Sequence, residues 1–191
     1  MEVRNGDVAK LGVLFERYQR MLYNFYLRMS GDRSLSEDLV QDVFFRMLKY
    51  RHTYRENSDF VTWMFQIARN ARFDHFRKVK REVALDDEIN ESISPDVPPD
   101  DVMGQKQEAA LLQKSLVQLT HDKREALVLS RFQNFKYEQI AELVGCDVST
   151  VKTRVFRAMQ DLRENFFRLS GKNHELSNGK RTTPRLFNRQ S

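Results

Sequence analysis

The sequence predicts an all-α protein made of two small helical domains that are joined by a flexible acidic linker, with a helix-turn-helix in the second domain. Apolar residues recur at helical spacing in both halves, and no alternation typical of a β-strand persists. Between the halves, residues 82–104 contain three of the four prolines, and every charged residue there is acidic. These observations place the domains at residues 1–81 and 105–170, followed by a basic tail at 171–191 that is expected to be disordered.

Charge divides the chain at the same boundaries. The 191 residues carry a formal net charge of +5. Residues 1–81 hold 16 basic and 10 acidic side chains, residues 82–104 hold 8 acidic and no basic ones, and residues 105–191 hold 16 basic and 9 acidic ones. Two basic modules separated by an acidic stretch are typical of a protein that binds nucleic acid through both modules.

Several classes of protein are excluded by what the sequence lacks. No apolar run approaches the roughly 20 residues that span a bilayer, and the N-terminus lacks the apolar core of a signal peptide, so we expect a cytoplasmic protein without membrane insertion. The single cysteine, the scattered histidines and the isolated glycines provide no disulfide, metal site or phosphate loop. We therefore expect no cofactor and no metal. We also expect no enzymatic activity, because a nucleic-acid-processing enzyme needs paired carboxylates in a cleft. The candidate pairs, Asp38 with Asp42 and Asp86 with Asp87, lie on a helix surface and in the linker instead.

The first two helices are predicted on either side of Gly31-Asp32, where the helical pattern breaks. The second helix is expected to begin at Ser34, because Glu37 three residues later completes a capping-box spacing. Its outer face is polar and partly acidic, and consists of Asp38, Gln41, Asp42 and Arg46. Such a face in a basic domain is either a solvated surface or a docking surface for a basic protein partner.

A loop over residues 50–58 and a third helix from about Asp59 follow. Phe60 and Trp63 share the apolar face of this helix and are predicted to be core, whereas residues 69–81 carry a local net charge of +5. Aromatic rings beside cations are suited to binding unstacked single-stranded bases. The candidate DNA-binding residues of this segment are Tyr50, Tyr54, Asn57, Arg69, Asn70, Arg72, Arg77 and Lys78.

The second domain contains the most specific pattern, a helix-turn-helix over residues 137–162. Ala141 permits close approach of the two helices, Gly145 suits a left-handed turn, and Asp147 can cap the next helix. Cys146 is interpreted as an inert buried thiol in that turn. The outward side chains at the start of the second helix are Ser149, Thr150, Lys152, Thr153, Arg154 and Arg157. They form either a recognition surface for the DNA major groove or the solvated basic face of a plain helical hairpin, and we favour the former.

Three segments together resemble the extracytoplasmic-function (ECF) group of bacterial RNA polymerase sigma factors. They are residues 37–47 (EDLVQDVFFRM), 60–77 (FVTWMFQIARNARFDHFR) and 137–158 (YEQIAELVGCDVSTVKTRVFRA), and the resemblance covers about residues 9–168. It implies an alternative sigma factor, without catalysis of its own, that binds core RNA polymerase and directs promoter recognition, DNA melting and transcription initiation.

The same resemblance implies roles for the segments. The sigma-2-like first domain would dock through its second helix on the β′ clamp helices and bind the −10 element, and the sigma-4-like second domain would read the −35 element. The further contacts it implies are the β flap for the polymerase, an RNA-exit channel for the linker, and an anti-sigma factor as a common partner. Cys146 and the tail depart from the usual family pattern.

One alternative is a free-standing helix-turn-helix regulator that binds duplex DNA without polymerase. The aromatic loop and the acidic face of the second helix count against it, because a repressor needs neither feature.

Overall fold

The structure, a computed structural model, describes residues 9–55, 57–83 and 103–171. These residues form seven α-helices and one 3-10 turn, and no strand occurs among them. The elements are α1 (Ala9–Ser30), α2 (Arg33–Lys49), the 3-10 turn (Arg51–Thr53), α3 (Phe60–Val83), α4 (Met103–Val117), α5 (His121–Phe132), α6 (Tyr137–Val144) and α7 (Val148–Leu169). The prediction of an all-α fold is confirmed. Most of the acidic linker, including Asp86 and Asp87, and the tail beyond Gly171 lie outside the described residues.

The turn between α1 and α2 corrects one expectation. The N-cap of helix α2 is Asp32 rather than Ser34, because the carboxylate of Asp32 accepts a hydrogen bond from the Leu35 backbone N–H at 2.9 Å, and the helix begins at Arg33. An aspartate is at least as good an N-cap as a serine, and its charge also suits the positive end of the helix dipole. Gly31 precedes this cap with φ +80°, a left-handed conformation that ends α1.

Helices α1–α3, the N-terminal helical group, pack around fully buried aromatic and sulfur-containing side chains. Phe25 and Phe65 meet edge to face at 5.2 Å between ring centroids. The Tyr26 hydroxyl donates a hydrogen bond of 2.9 Å to the backbone carbonyl of Ala68, which joins α1 to α3. Burial raises the pKa of Tyr26, so the hydroxyl keeps its proton and remains a donor.

Helices α4–α7, the C-terminal helical group, contain the predicted helix-turn-helix. Helix α6 ends at Gly145, whose φ of +68° is left-handed, and α7 begins after Asp147. Asp147 occupies the N-cap position but its side chain makes no capping hydrogen bond, so the sequence predicted the position correctly and the contact wrongly. Cys146 is half-buried rather than buried. The buried stripe of α7 consists of Val151, Val155, Ala158 and Leu162.

The two helical groups pack against each other and share one continuous hydrophobic cluster. Helix α1 contacts α4 and α5, and α3 contacts α6. The Phe65 and Phe135 rings lie 4.9 Å apart, and the Arg28 guanidinium lies 4.4 Å from the centroid of the Phe132 ring. Arg124 donates to the backbone carbonyl of Met29 in one group and to those of Val117 and Leu119 in the other. Burial lowers the pKa of Arg124 to about 10, which leaves the guanidinium charged at neutral pH.

Candidate nucleic-acid interface

The first half of α7 presents hydroxyl-bearing and cationic side chains. Ser149, Lys152, Thr153 and Arg157 are exposed, and Thr150 and Arg154 are half-buried. An open groove of about 430 Å³ runs between this face and the start of α5, and its lining consists of Thr120, Asp122, Lys123, Ser149, Thr150, Thr153, Arg154 and Arg157. The helix-turn-helix therefore brings five of the six sequence-predicted residues of α7 to this groove, and the sixth, Lys152, is exposed outside it.

Within this face, Arg154 is held in place. Its guanidinium pairs with the Asp122 carboxylate at 2.9 Å and lies 3.9 Å from the sulfur of Cys146, so it ties α7 to α5 and to the turn. Arg157 is exposed by comparison, and so is Phe156, which is 65% accessible. Phe156 was not among the residues predicted for this face, although its spacing of four from Lys152 and three from Thr153 places it there.

The arginines of α3 point in a different direction. Arg69 forms a two-point ion pair with Glu125 of α5, at 2.8 Å from Nε to Oε1 and 3.2 Å from Nη2 to Oε2, and its Nη1 also donates to the Leu143 carbonyl. One turn later, Arg72 is 9% exposed and donates to Nε2 of His121. Burial lowers the pKa of Arg72. Both side chains are therefore occupied by the C-terminal group.

The remaining candidates of this segment divide by exposure. Tyr54 is buried in an aromatic cluster, with its ring 5.3 Å from that of Trp63 and its hydroxyl 3.1 Å from the Ser58 carbonyl. Phe60 and Trp63 pack against the core as predicted. The accessible candidates are Tyr50, Asn57, Asn70, Arg77 and Lys78.

The outer face of α2 combines exposed and paired side chains. Asp38 and Gln41 are exposed, whereas Arg46 bridges Asp42 at 2.9 Å and Asp74 of α3 at 2.7 Å. The hydrogen bond from Arg46 lowers the pKa of Asp74. Phe45 stands in this face with 66% of its surface accessible. Phe45 was not among the residues predicted for this face, although its spacing of three from Asp42 and four from Gln41 places it there.

The described part of the chain contains no cluster of three or more His, Cys, Asp or Glu residues that could hold a metal ion. Across the same residues, none of the helices has the length and apolar character needed to cross a membrane.

Comparison with known proteins identifies both helical groups. The family model described as Sigma-70 region 2 matches residues 14–82, and that described as Sigma-70, region 4 matches residues 109–162. The ECF RNA polymerase sigma factor SigM of Bacillus subtilis is 31% identical over 150 residues, which are 78% of this chain and 91% of that protein. The chain belongs to the ECF sigma factors. The sigma factor CarQ of Myxococcus xanthus is 30% identical over 161 residues, covering 84% of this chain and 91% of that protein.

Solved structures agree with this assignment. The sigma factor RpoE of Bartonella quintana, in complex with the anti-sigma factor NepR, matches with a TM-score of 0.71 and 28% identity over 82% of this chain and 96% of that chain. CnrH, in complex with the cytosolic domain of CnrY, shares the fold with a TM-score of 0.65 at 20% identity, covering 85% of this chain and 91% of that chain.

The function follows from the family. This sigma factor is an alternative sigma factor that binds core RNA polymerase and directs transcription initiation. Sigma factors are regulatory proteins rather than catalysts. The alternative of a free-standing regulator is not favoured, because the matches include region 2 as well as the helix-turn-helix region.

Proposed function

We propose that this sigma factor divides promoter recognition between residues 1–81, which dock on polymerase and bind the −10 element, and residues 105–170, which read the −35 element. The observation that carries the proposal is the outward face of α7. Exposed hydroxyls and cations there lie beside a groove whose far side is formed by Thr120, Asp122 and Lys123.

For the −35 element, the chemistry of each side chain suggests a role. Arg157 and Lys152 suit guanine edges or phosphates, and Ser149, Thr150 and Thr153 are short enough to let α7 approach the bases. Phe156 is an exposed apolar group that suits thymine methyls. The ion pair with Asp122 fixes the position from which Arg154 would contact DNA.

For the −10 element, Tyr50 is the candidate stacking platform, because its ring is 40% exposed and Lys49 lies 5.4 Å from its centroid. Asn57, Asn70, Arg77 and Lys78 are also exposed and belong to the same proposed set. Tyr54, Arg69 and Arg72 complete the proposed set, and they require a rearrangement before they can contact DNA.

For polymerase, the proposed docking face of α2 consists of Asp38, Gln41, Asp42, Phe45 and Arg46, with the β′ clamp helices as its target. An exposed phenylalanine surrounded by polar groups has the form of an interface hot spot. The contact of region 4 with the β flap and the passage of residues 82–104 along the RNA-exit channel belong to the same proposal.

Two further attributes are proposed from the relatives. RpoE of Bartonella quintana was solved with the anti-sigma factor NepR, and we propose that an anti-sigma factor also binds this chain. Because core polymerase and promoter DNA are its binding partners, we propose that this chain acts in the cytoplasm.

The proposal is tested by separating the two binding activities. We expect Arg157→Ala to weaken binding to a duplex −35 fragment by about 1–3 kcal/mol, the worth of a bidentate base contact, while leaving the affinity for core polymerase unchanged. Phe45→Ala should show the reverse pattern. Arg168→Ala removes the same charge at the other end of α7, about 16 Å along the helix, and serves as the control. Loss of polymerase binding in Arg157→Ala would contradict the division.

A further inference from the structure

The basic part of α3, residues 69–81, contains a single acid, Asp74, among six cationic side chains. Because DNA is a polyanion, an acid at this position weakens DNA binding on electrostatic grounds alone. The side chain of Asp74 is half-buried and does not belong to the hydrophobic core. Its role among the cations assigned to the −10 element therefore has to be found in the groups that it contacts.

Both carboxylate oxygens of Asp74 accept hydrogen bonds from arginines, and the two arginines belong to different helices. Oδ2 accepts from Nη1 of Arg46, on α2, at 2.7 Å. Oδ1 accepts from Nη2 of Arg77, about one turn further along α3, at 3.0 Å. The hydrogen bond from Arg46 lowers the pKa of Asp74, so the carboxylate remains charged at neutral pH. Asp74 thus links α2 to an arginine that is proposed to bind DNA.

The two arginines bound to Asp74 differ in how firmly they are held. The Nε of Arg46 also donates to Oδ2 of Asp42 at 2.9 Å, and only 22% of the Arg46 side chain is accessible. Arg77, in contrast, is 72% accessible. The four side chains therefore form a chain of alternating charge, which starts from a half-buried ion pair on α2 and ends at an exposed guanidinium on α3.

The contact with Asp74 leaves Arg77 able to bind DNA. A guanidinium has five N–H groups, and the hydrogen bond to Asp74 engages Nη2, so other N–H groups can bind a phosphate or a base edge while the ion pair persists. An exposed arginine has many rotamers, and a partner that selects one of them reduces the entropy lost on binding. A lone surface ion pair holds a side chain weakly, but this carboxylate is itself held by Arg46.

We propose that Asp74, held by Arg46, is a positioning residue that orients Arg77 for contact with the −10 element. This inference rests on the assignment of Arg77 to the −10 element under the proposed function. Loss of the Asp74 charge then has two opposite effects: it increases the general attraction of α3 for DNA, and it releases Arg77 from its orientation. Salt screens the general attraction but does not restore the orientation, so the second effect dominates at physiological ionic strength.

The test uses holoenzyme at saturating core polymerase, so that a change in polymerase affinity does not affect the measurement. The probe is a labelled single-stranded oligonucleotide that carries the −10 region of a promoter from which this holoenzyme initiates. Asp74→Asn keeps the shape of the side chain and removes its charge, and Glu16→Gln changes an exposed acid of α1 as the control. We expect Asp74→Asn to bind the probe about three- to fivefold more weakly, although its α3 is more positive, and Glu16→Gln to be unchanged.

The same substitution in an Arg77→Ala background shows whether Asp74 acts through Arg77. A positioning role predicts no further loss in that background, whereas a general disturbance of α3 predicts an additional one. Unchanged or tighter binding by Asp74→Asn, or an additional loss in the Arg77→Ala background, would overturn the positioning role. The proposed function still stands in those cases if Arg77→Ala alone binds the probe more weakly.

Full probe binding by Arg77→Ala alone would overturn the assignment of Arg77 to the −10 element and, with it, the role of Asp74. Circular dichroism melting shows that each variant is folded before it is compared.

Discussion

Five arginines that are proposed to contact DNA differ in what they touch. Arg69 pairs with Glu125 across the helical groups, Arg72 is buried between them, Arg77 pairs with Asp74 at 3.0 Å, and Arg154 pairs with Asp122. Arg157 is exposed. An arginine that must leave an existing partner contributes less free energy to DNA binding. Arg157 is therefore expected to contribute most among these five arginines.

His121 makes the packing of the two helical groups depend on pH. Burial and the neighbouring Arg72 lower the pKa of His121 below its ordinary 6.5, so the packed form binds a proton more weakly than a form in which the two groups are separated. Arg72 faces the ring from α3 and Asp122 and Glu125 from α5, while Phe73 lies 5.6 Å away. We expect acidification below about pH 6.5 to favour separation of the two helical groups, by up to about tenfold per pH unit.

The measurement is the radius of gyration between pH 7.5 and pH 5.5 (roughly one unit either side of the ordinary histidine pKa). His121→Gln retains an acceptor for Arg72 but does not titrate, so its expansion on acidification should be smaller than that of the unmodified chain. Equal expansion of the two proteins would show that titratable groups other than His121 control the packing of the two helical groups.

Single-residue roles were predictable where they depend on local spacing. The six outward residues of the helix-turn-helix follow from the period of one helix and from Gly145. Glu125 was not singled out, because its partner Arg69 is 56 positions away and nothing in the local pattern of α5 indicates an acid that faces another helical group. Tyr54 resembled Tyr50 in the sequence, and only packing against Trp63 distinguishes the two.

At the scale of the elements, the helices follow from apolar periodicity and their ends follow from competition between capping groups. Asp32 and Ser34 are both good N-cap residues, and the sequence alone did not rank them. The chain after Gly31 positions Asp32 so that its carboxylate reaches the Leu35 N–H, which starts α2 at Arg33, two residues earlier than a Ser34 cap would start it. The local pattern therefore predicts that a helix exists more reliably than it predicts the first residue.

Two glycine substitutions with opposite expected effects on stability test whether the turn of the helix-turn-helix requires a left-handed residue. Gly145 has φ +68° with open space around the position of a Cβ, so Gly145→Ala is strained by the backbone alone. We expect a loss of about 1–2 kcal/mol in the free energy of unfolding. Gly12 lies within α1, also in open space, and Gly12→Ala should instead gain about 0.5–1 kcal/mol. Urea denaturation measures both changes, and a neutral Gly145→Ala would contradict the required left-handed turn.

At the scale of the whole molecule, the two helical groups share one hydrophobic cluster. Their contact combines apolar packing, such as Phe65 on Phe135, with buried arginines that donate to backbone carbonyls of the other group. Composition and charge predicted two modules and a connector. They could not predict that the modules pack together. The residue pairs in contact between the modules are far apart in sequence, and the connector does not determine which residues meet.

The most direct test of the account is in vitro transcription of a genomic DNA library by purified core polymerase with this sigma factor. We expect initiation at a set of promoters that share an upstream and a downstream element, and Arg157→Ala should lose the dependence on the upstream element while it still binds core polymerase. Absence of initiation by the unmodified protein, or start sites unaffected by Arg157→Ala, would contradict the account.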